Sequence, residues 1–173
     1  MRMWQQIIGT MLLCWCSVAS TAEIALGGVP VSISLTNLPK ITVEKPGGGW
    51  YDTMTLSNST GSDVTRYQAQ VPVQVSIRNE HNFQVSLVNP LVLTHTANPS
   101  LTFTTEMVGF GSTNGQLQAL SATPVDFSNP PATGDTSTGS YLLSVSARQP
   151  LGVLGTISGN YLGQLVLLFE VKV

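Results

Sequence analysis

Apolar residues recur at every second position of this chain in short runs, each bounded by clusters of Gly, Pro, Asn, Asp and Ser. The first run is Val29-Pro30-Val31-Ser32-Ile33-Ser34-Leu35-Thr36, and alternation resumes at Ile41 and Val43. Later runs cover residues 71–77, 83–88, 101–103, 141–145 and 161–173. A period of two puts successive side chains on opposite faces, so these runs predict half-buried β-strands. No stretch of helical length carries an i, i+3, i+4 apolar stripe. Turn-forming clusters at 46–49, 58–62, 109–115, 129–139 and 152–159 separate the strands. Alternating strands at this spacing need a second sheet to cover their apolar faces, and the expected architecture is one all-β domain, an antiparallel sandwich.

Two details qualify this pattern. Pro30 and Pro72 interrupt alternating runs, where a missing N–H is tolerated only near strand starts, at edges or at bulges. The last run has one face that is wholly apolar or Gly: Tyr161, Gly163, Leu165, Leu167, Phe169, Val171 and Val173. The other face mixes Gln164, Glu170 and Lys172 with Leu162, Val166 and Leu168. Alternation alone favours the first run as an ordinary first strand of a complete secreted sandwich and the last run as its closing strand.

Composition narrows the classes. Charged residues make up 9% of the 173, against about a quarter in soluble globular proteins, so Ser, Thr, Asn and Gln must solvate the surface. The apolar share of 42% is ample for a core. A formal charge of -2 argues against nucleic acid, which requires clustered Lys and Arg. Residues 1–22 read as a secretory signal: Arg2, an apolar stretch over 7–18, then the small residues Ser20 and Ala22. That stretch is roughly a dozen residues, short of the about 20 that span a bilayer. Cys14 and Cys16 fall inside it, preceded by Leu13 and Trp15, which are too bulky for lipoprotein processing. The chain from Glu23 onward therefore has no cysteine for a disulfide or a thiolate metal site.

The chemistry-bearing residues form no catalytic set. His81 and His95 have no carboxylate or cysteine set around them, and are expected on the surface, in a loop and at a strand end. No Gly-x-Ser-x-Gly elbow occurs. The segment 109–115 lacks the lysine and following helix of a phosphate loop and reads as a turn. Asp126 and Asp135 lie in a loop-like stretch and read as solvated acids rather than a glycosidase pair. Asn58-Ser59-Thr60 matches the N-glycosylation triplet. No enzyme activity, cofactor or metal is expected. A carbohydrate-binding secreted monomer, using Trp50 and Tyr51 beside the triple glycine, is the alternative to a structural role.

Several features converge on one family: the alternating segment over 29–43, Arg66-Tyr67, the strands over 71–88, and Ser158-Gly159-Asn160-Tyr161-Leu162-Gly163-Gln164-Leu165-Val166-Leu167. The last resembles a terminal Gly-Asn-Tyr-x-Gly strand, and the chain resembles the alpha-class pilins of chaperone-usher fimbriae, of the colonisation factor antigen I major-subunit type. The resemblance implies an incomplete immunoglobulin-like sandwich completed by donor-strand exchange. Residues 23–37 would be the donor extension, with Val29, Val31, Ile33 and Leu35 as its anchors, and 38–173 the pilin domain. Tyr161, Leu165, Leu167, Phe169, Val171 and Val173 would form the strand facing the groove and the chaperone. Implied partners are identical subunits, a periplasmic chaperone that anchors the Val173 carboxylate, an outer-membrane usher, and a tip adhesin and host-surface receptor. The implied destination is the cell surface, by way of the periplasm. Burying the four anchors is worth at most about 6 to 12 kcal/mol, comparable with the roughly 5 to 15 kcal/mol that holds a whole domain.

Overall fold

Val73, Val75 and Ile77 are buried while Gln74, Ser76 and Arg78 between them are less so, and the sequence alternation becomes a two-faced strand. The computed structural model describes residues 41–58, 63–132 and 134–172, with the backbone of Val31–Ser34. In chain order the elements begin with β1 (Val31–Ser34), β2 (Ile41–Glu44), β3 (Ser57–Asn58), β4 (Arg66–Arg78) and β5 (Asn82–Leu87). There follow β6 (Leu93–His95), β7 (Thr102–Ser112), β8 (Gln118–Ala119), β9 (Val125–Ser128) and β10 (Thr136–Arg148). A single helical turn, α1 (Leu154–Ile157), precedes β11 (Tyr161–Leu162) and β12 (Leu165–Val171).

The strands make two sheets. One has the order β1-β12-β5-β9; the other runs β11-β6-β7-β10-β4-β2, with β3 beside β4 and β8 beside β7. The spine is β10, paired antiparallel with β4 from Thr136 opposite Arg78 to Arg148 opposite Arg66, and with β7 on its other side. Between the sheets Phe83 stacks on Phe127 and Phe169, while Phe110 stacks on Tyr141 and meets Phe169 edge-on at 5.5 Å. These rings are the centre of the core, and Phe169 brings β12 into it. The fold is an all-β, incomplete immunoglobulin-like sandwich.

Pro72 sits in the middle of β4, away from either strand end, and the topology explains it. On the side of β4 away from β10, β3 covers Tyr67 and Gln68 and β2 covers Gln74–Ile77, leaving Pro72 in the gap. The Pro72 carbonyl points into that gap and accepts a bond from the Tyr51 hydroxyl at 2.9 Å. A residue's N and C=O face the same side of a strand, so no ladder bond is lost.

A buried polar knot ties the loops at one end. The Asn129 amide donates to the carbonyls of Val75 and Ser137, and its oxygen accepts from the Tyr141 hydroxyl at 2.8 Å. The Ser137 hydroxyl donates to the Glu80 carbonyl. Asn129 and Ser137 are buried, and each polar atom finds the partner that burial demands. Burial pushes the Tyr141 hydroxyl up to about 12.

Four expectations need correction. The strand β7 continues through Gly109 and Gly111 to Ser112, so only the end of 109–115 is a turn. The glycines are needed because β8 and its lead-in pass close by: a Cβ on Gly111 would sit 3.0 Å from Leu117 Cα. Asp126 lies in β9, not a loop, exposed and paired with Lys172 at 2.5 Å. His95 is buried rather than on the surface, because backbone donors and an aromatic neighbour enclose its ring. The run 161–173 is two strands in different sheets rather than one.

Candidate functional site

The break in the last run is made by its glycines. Tyr161 and Leu162 pair with His95 and Thr94 of β6, after which the chain crosses to the other sheet and Leu167–Val171 pair with β5. At the crossing Gly163 passes against the Val92 carbonyl, where a Cβ would collide. Gly159 lies against the His95 ring in the same way. His95 Nδ1 accepts from the amides of Ala97 and Asn98, both at 3.0 Å, which leaves Nε2 as the donor to the Ser158 carbonyl at 3.2 Å. Thr96 N donates to the Asn160 carbonyl. Tyr161 meets Phe103 edge-on at 4.7 Å and donates its hydroxyl to Ile157 O. The Gly-Asn-Tyr-x-Gly residues thus form the corner that launches β12.

Along β12, Leu165, Leu167, Phe169 and Val171 are buried and Val166, Leu168 and Glu170 half-buried. The main chain alternates in the opposite sense. Val88 N donates to Val166 O, and Lys172 N donates to Asn82 O, so the even-numbered residues direct their N–H and C=O groups at β5. The odd-numbered residues therefore direct theirs at the other side, the outer edge of the sheet. Among the described residues that edge is covered by β1, in parallel, with Val31 opposite Leu165 and Ser34 opposite Leu168. Beyond Leu168 no described strand lies against the Phe169 and Val171 main chain. The facing edge of the second sheet is β2, with Ile41 and Val43 buried. Chemically this is an apolar, strand-shaped cleft whose wall, past Leu168, presents backbone donors and acceptors that no described strand pairs with.

The structure brings Leu165, Leu167, Phe169 and Val171 together on this wall. It separates Tyr161 from them, in the other sheet. Of the expected donor residues, Val31 and Ile33 lie in β1, while Val29 and Leu35 are outside the described residues, as are Val173 and the segment 1–22. Asn129, Ser137 and the buried role of His95 were not indicated by sequence reasoning. The signal available for them was a polar residue flanked by turn residues, which is common to exposed loops.

A cavity of about 320 Å³ lies near the corner, lined by Tyr67, Phe103, Gln149, Ile157, Asn160 and Tyr161 among others. Burial raises the Tyr161 hydroxyl above its ordinary range. Tyr51, near Trp50 in edge-on contact at 5.6 Å, has its hydroxyl bonded to Pro72. Among the described residues no group of three or more His, Cys, Asp or Glu could hold a metal ion, and no helix is long and apolar enough to cross a membrane.

No family model matches the chain, and no curated protein matches it. Among solved structures it is similar to the CooA pilin subunit from enterotoxigenic Escherichia coli. The identity is 17%, with 78% of this chain and 100% of that chain covered, at a TM-score of 0.48.

Proposed function

We propose that the chain is a structural subunit of a chaperone-usher adhesive fimbria, of the colonisation factor antigen I type, that polymerises by donor-strand complementation. The observation that carries this reading is the outer edge of β12: seven residues, alternately buried, whose odd-numbered backbone groups face a side that, among the described residues, four cover. In β-augmentation, main-chain bonds supply affinity and alternate side chains fill pockets. Residues 1–22 act as the export signal, 23–37 as the donor extension and 38–173 as the domain that receives a donor. Val29, Val31, Ile33 and Leu35 enter the next copy's cleft, beside its Leu165, Leu167, Phe169 and Val171. A periplasmic chaperone occupies the same edge before assembly and holds Val173, and an outer-membrane usher exchanges it for the next subunit. The product is a cell-surface filament able to carry a tip adhesin towards a host receptor.

The test is deletion of residues 23–37 in cells that supply chaperone and usher. The shortened subunit is expected to reach the periplasm bound to chaperone but to form no filament by electron microscopy. Filaments of normal length from the deletion would reject the donor role.

A further inference from the structure

The two ends of the sandwich carry different chemistry. β10 and β4 run side by side for 13 residues, which spans about 40 Å at the rise of a strand. One pole holds the start of β4, the end of β10 and the corner at Tyr161. The other holds the Arg78–Asn82 turn and the loop from Asn129 to Asp135. The five exposed large aliphatic side chains among the described residues, Val64, Val88, Val92, Leu151 and Val153, all lie at the corner pole. So does the cavity of about 320 Å³, whose lining includes the rings of Tyr67, Phe103 and Tyr161 and the carboxamides of Gln149 and Asn160. Exposed apolar surface beside a concave aromatic site marks a docking surface. We propose that this cavity is a proline-binding site that receives the Pro130-Pro131 tip of a second copy of the chain.

The opposite pole supplies the occupant. Pro130-Pro131 is the one Pro-Pro pair in the sequence, and Pro130, Pro131 and Ala132 are exposed. A proline fixes its own φ and drives the residue ahead of it into an extended conformation, so this tip is preformed. Its mounting is rigid as well. Asn129 at one foot is buried and bonded to Val75, Ser137 and Tyr141. Asp135 at the other foot is held by Asn79 N and by the Arg78 guanidinium. A segment ordered beforehand docks with little further loss of entropy. Aromatic-lined grooves take proline-rich segments in this extended form, whose backbone carbonyls stay free to accept hydrogen bonds. Tyr67, Gln149 and Asn160 bring donors to the cavity, whereas the Tyr161 hydroxyl is committed to Ile157 O. Charge does not oppose the approach: Arg66 and Arg148 pair with Glu106 and Asp63 at the receiving pole, and Arg78 pairs with Asp135 beside the tip.

The tip cannot reach the cavity of its own chain, because the length of β10 lies between them. The contact is therefore between copies and heterologous, and it repeats end to end as an open row. It uses neither the β12 edge nor any residue ahead of Ile41, and so goes beyond strand donation. In a filament it makes neighbouring domains abut pole to pole.

Disulfide trapping tests this on the full exported chain carrying Cys14→Ser and Cys16→Ser. Ala132→Cys, beside the tip, is combined with Asn160→Cys at the cavity. The control combines Asn160→Cys with Asp52→Cys, which is exposed at mid-height beside Tyr51. On mild oxidation of the concentrated chain, the first pair is expected to give a ladder of disulfide-linked multimers on non-reducing gels, about tenfold stronger than the control. Adding Pro130→Ser and Pro131→Ser should remove most of that ladder, and the single-cysteine variants should stay monomeric. A ladder no stronger than the control, or one that survives the loss of both prolines, would overturn the contact. A dimer from Asn160→Cys alone would overturn it too, since the apolar pole would then pair with its own kind. Electron microscopy of the same chains separates this contact from the fimbrial reading. Filaments without the ladder overturn the contact and leave the fimbrial reading standing, whereas a ladder without filaments supports the contact and counts against strand donation.

Discussion

Amide exchange along β12 should distinguish its two sides residue by residue. The N–H groups of Val166, Leu168 and Glu170 face β5 within the subunit, whereas those of Phe169 and Val171 face the outer edge. The perturbation is addition of a synthetic peptide of residues 29–37 to the unassembled chain. Its four apolar anchors offer about 6 kcal/mol at the lower end of ordinary burial values, before the cost of ordering the peptide backbone. If half of that survives, about 3 kcal/mol, exchange at the outer amides slows roughly 100-fold at one decade per 1.4 kcal/mol. The inner amides, already bonded across the sheet, should change by less than about threefold on the same energy scale. Residue-resolved hydrogen exchange by NMR reads both sets together. Equal slowing of inner and outer amides would indicate general stabilisation, and no slowing at Phe169 or Val171 would refute strand addition at this edge.

Three further outcomes follow from the interior. Asn129→Ala strips donors from the Val75 and Ser137 carbonyls and one acceptor from Tyr141, and should cost about 2 to 4 kcal/mol in urea unfolding. Tyr141 is nearly inaccessible and its ionisation is pushed up to about 12. The unfolded chain loses this proton near pH 10 while the folded chain keeps it, so its stabilising contribution is whole below pH 10 and falls between pH 10 and 12. The loss approaches about 2 to 3 kcal/mol, and it is read as the difference from Tyr141→Phe in denaturation at each pH. Gly163→Ala drives a methyl group into the Val92 carbonyl and the Leu93 side chain. It should destabilise by about 1 to 3 kcal/mol, seen as a lower Tm, whereas Gly155→Ala, which meets open space, should leave Tm unchanged.

The strands that were legible in the sequence are those whose two faces differ chemically. Val73, Val75 and Ile77, or Phe83 and Val85, show a period of two directly, and their registers across β10 and β12 follow from it. What stayed hidden depends on contacts between distant residues. Gly109 and Gly111 look like turn residues until β8 is laid beside them, and Pro72 looks like a strand end until the gap between β3 and β2 is seen. His95 looks like surface because its burial depends on Gly159 leaving room for the ring, 64 positions later in the chain. At the candidate site the apolar face of β12 was readable, but the switch of sheet at Gly163 was not. Tyr161 continues the same alternation although it belongs to the other layer.

The remaining edges show how unusual the β12 edge is. An uncovered strand edge invites pairing with another chain, and proteins shorten, charge or block such edges. Here β2 and β9 end their sheets with four residues each, and β11 with two. The open stretch of β4 is blocked by Pro72 and occupied by the Tyr51 hydroxyl. On β9, Asp126 holds Lys172 at the surface. β12 has seven residues, no proline, and only apolar side chains at the positions whose backbone faces outward. A four-residue segment of the same chain lies over it, running in the direction that antiparallel sheets do not use. Among the described residues the β12 edge thus keeps a length and an apolar character that the short β2, β9 and β11 edges lack, which is what the proposed strand donation requires of it.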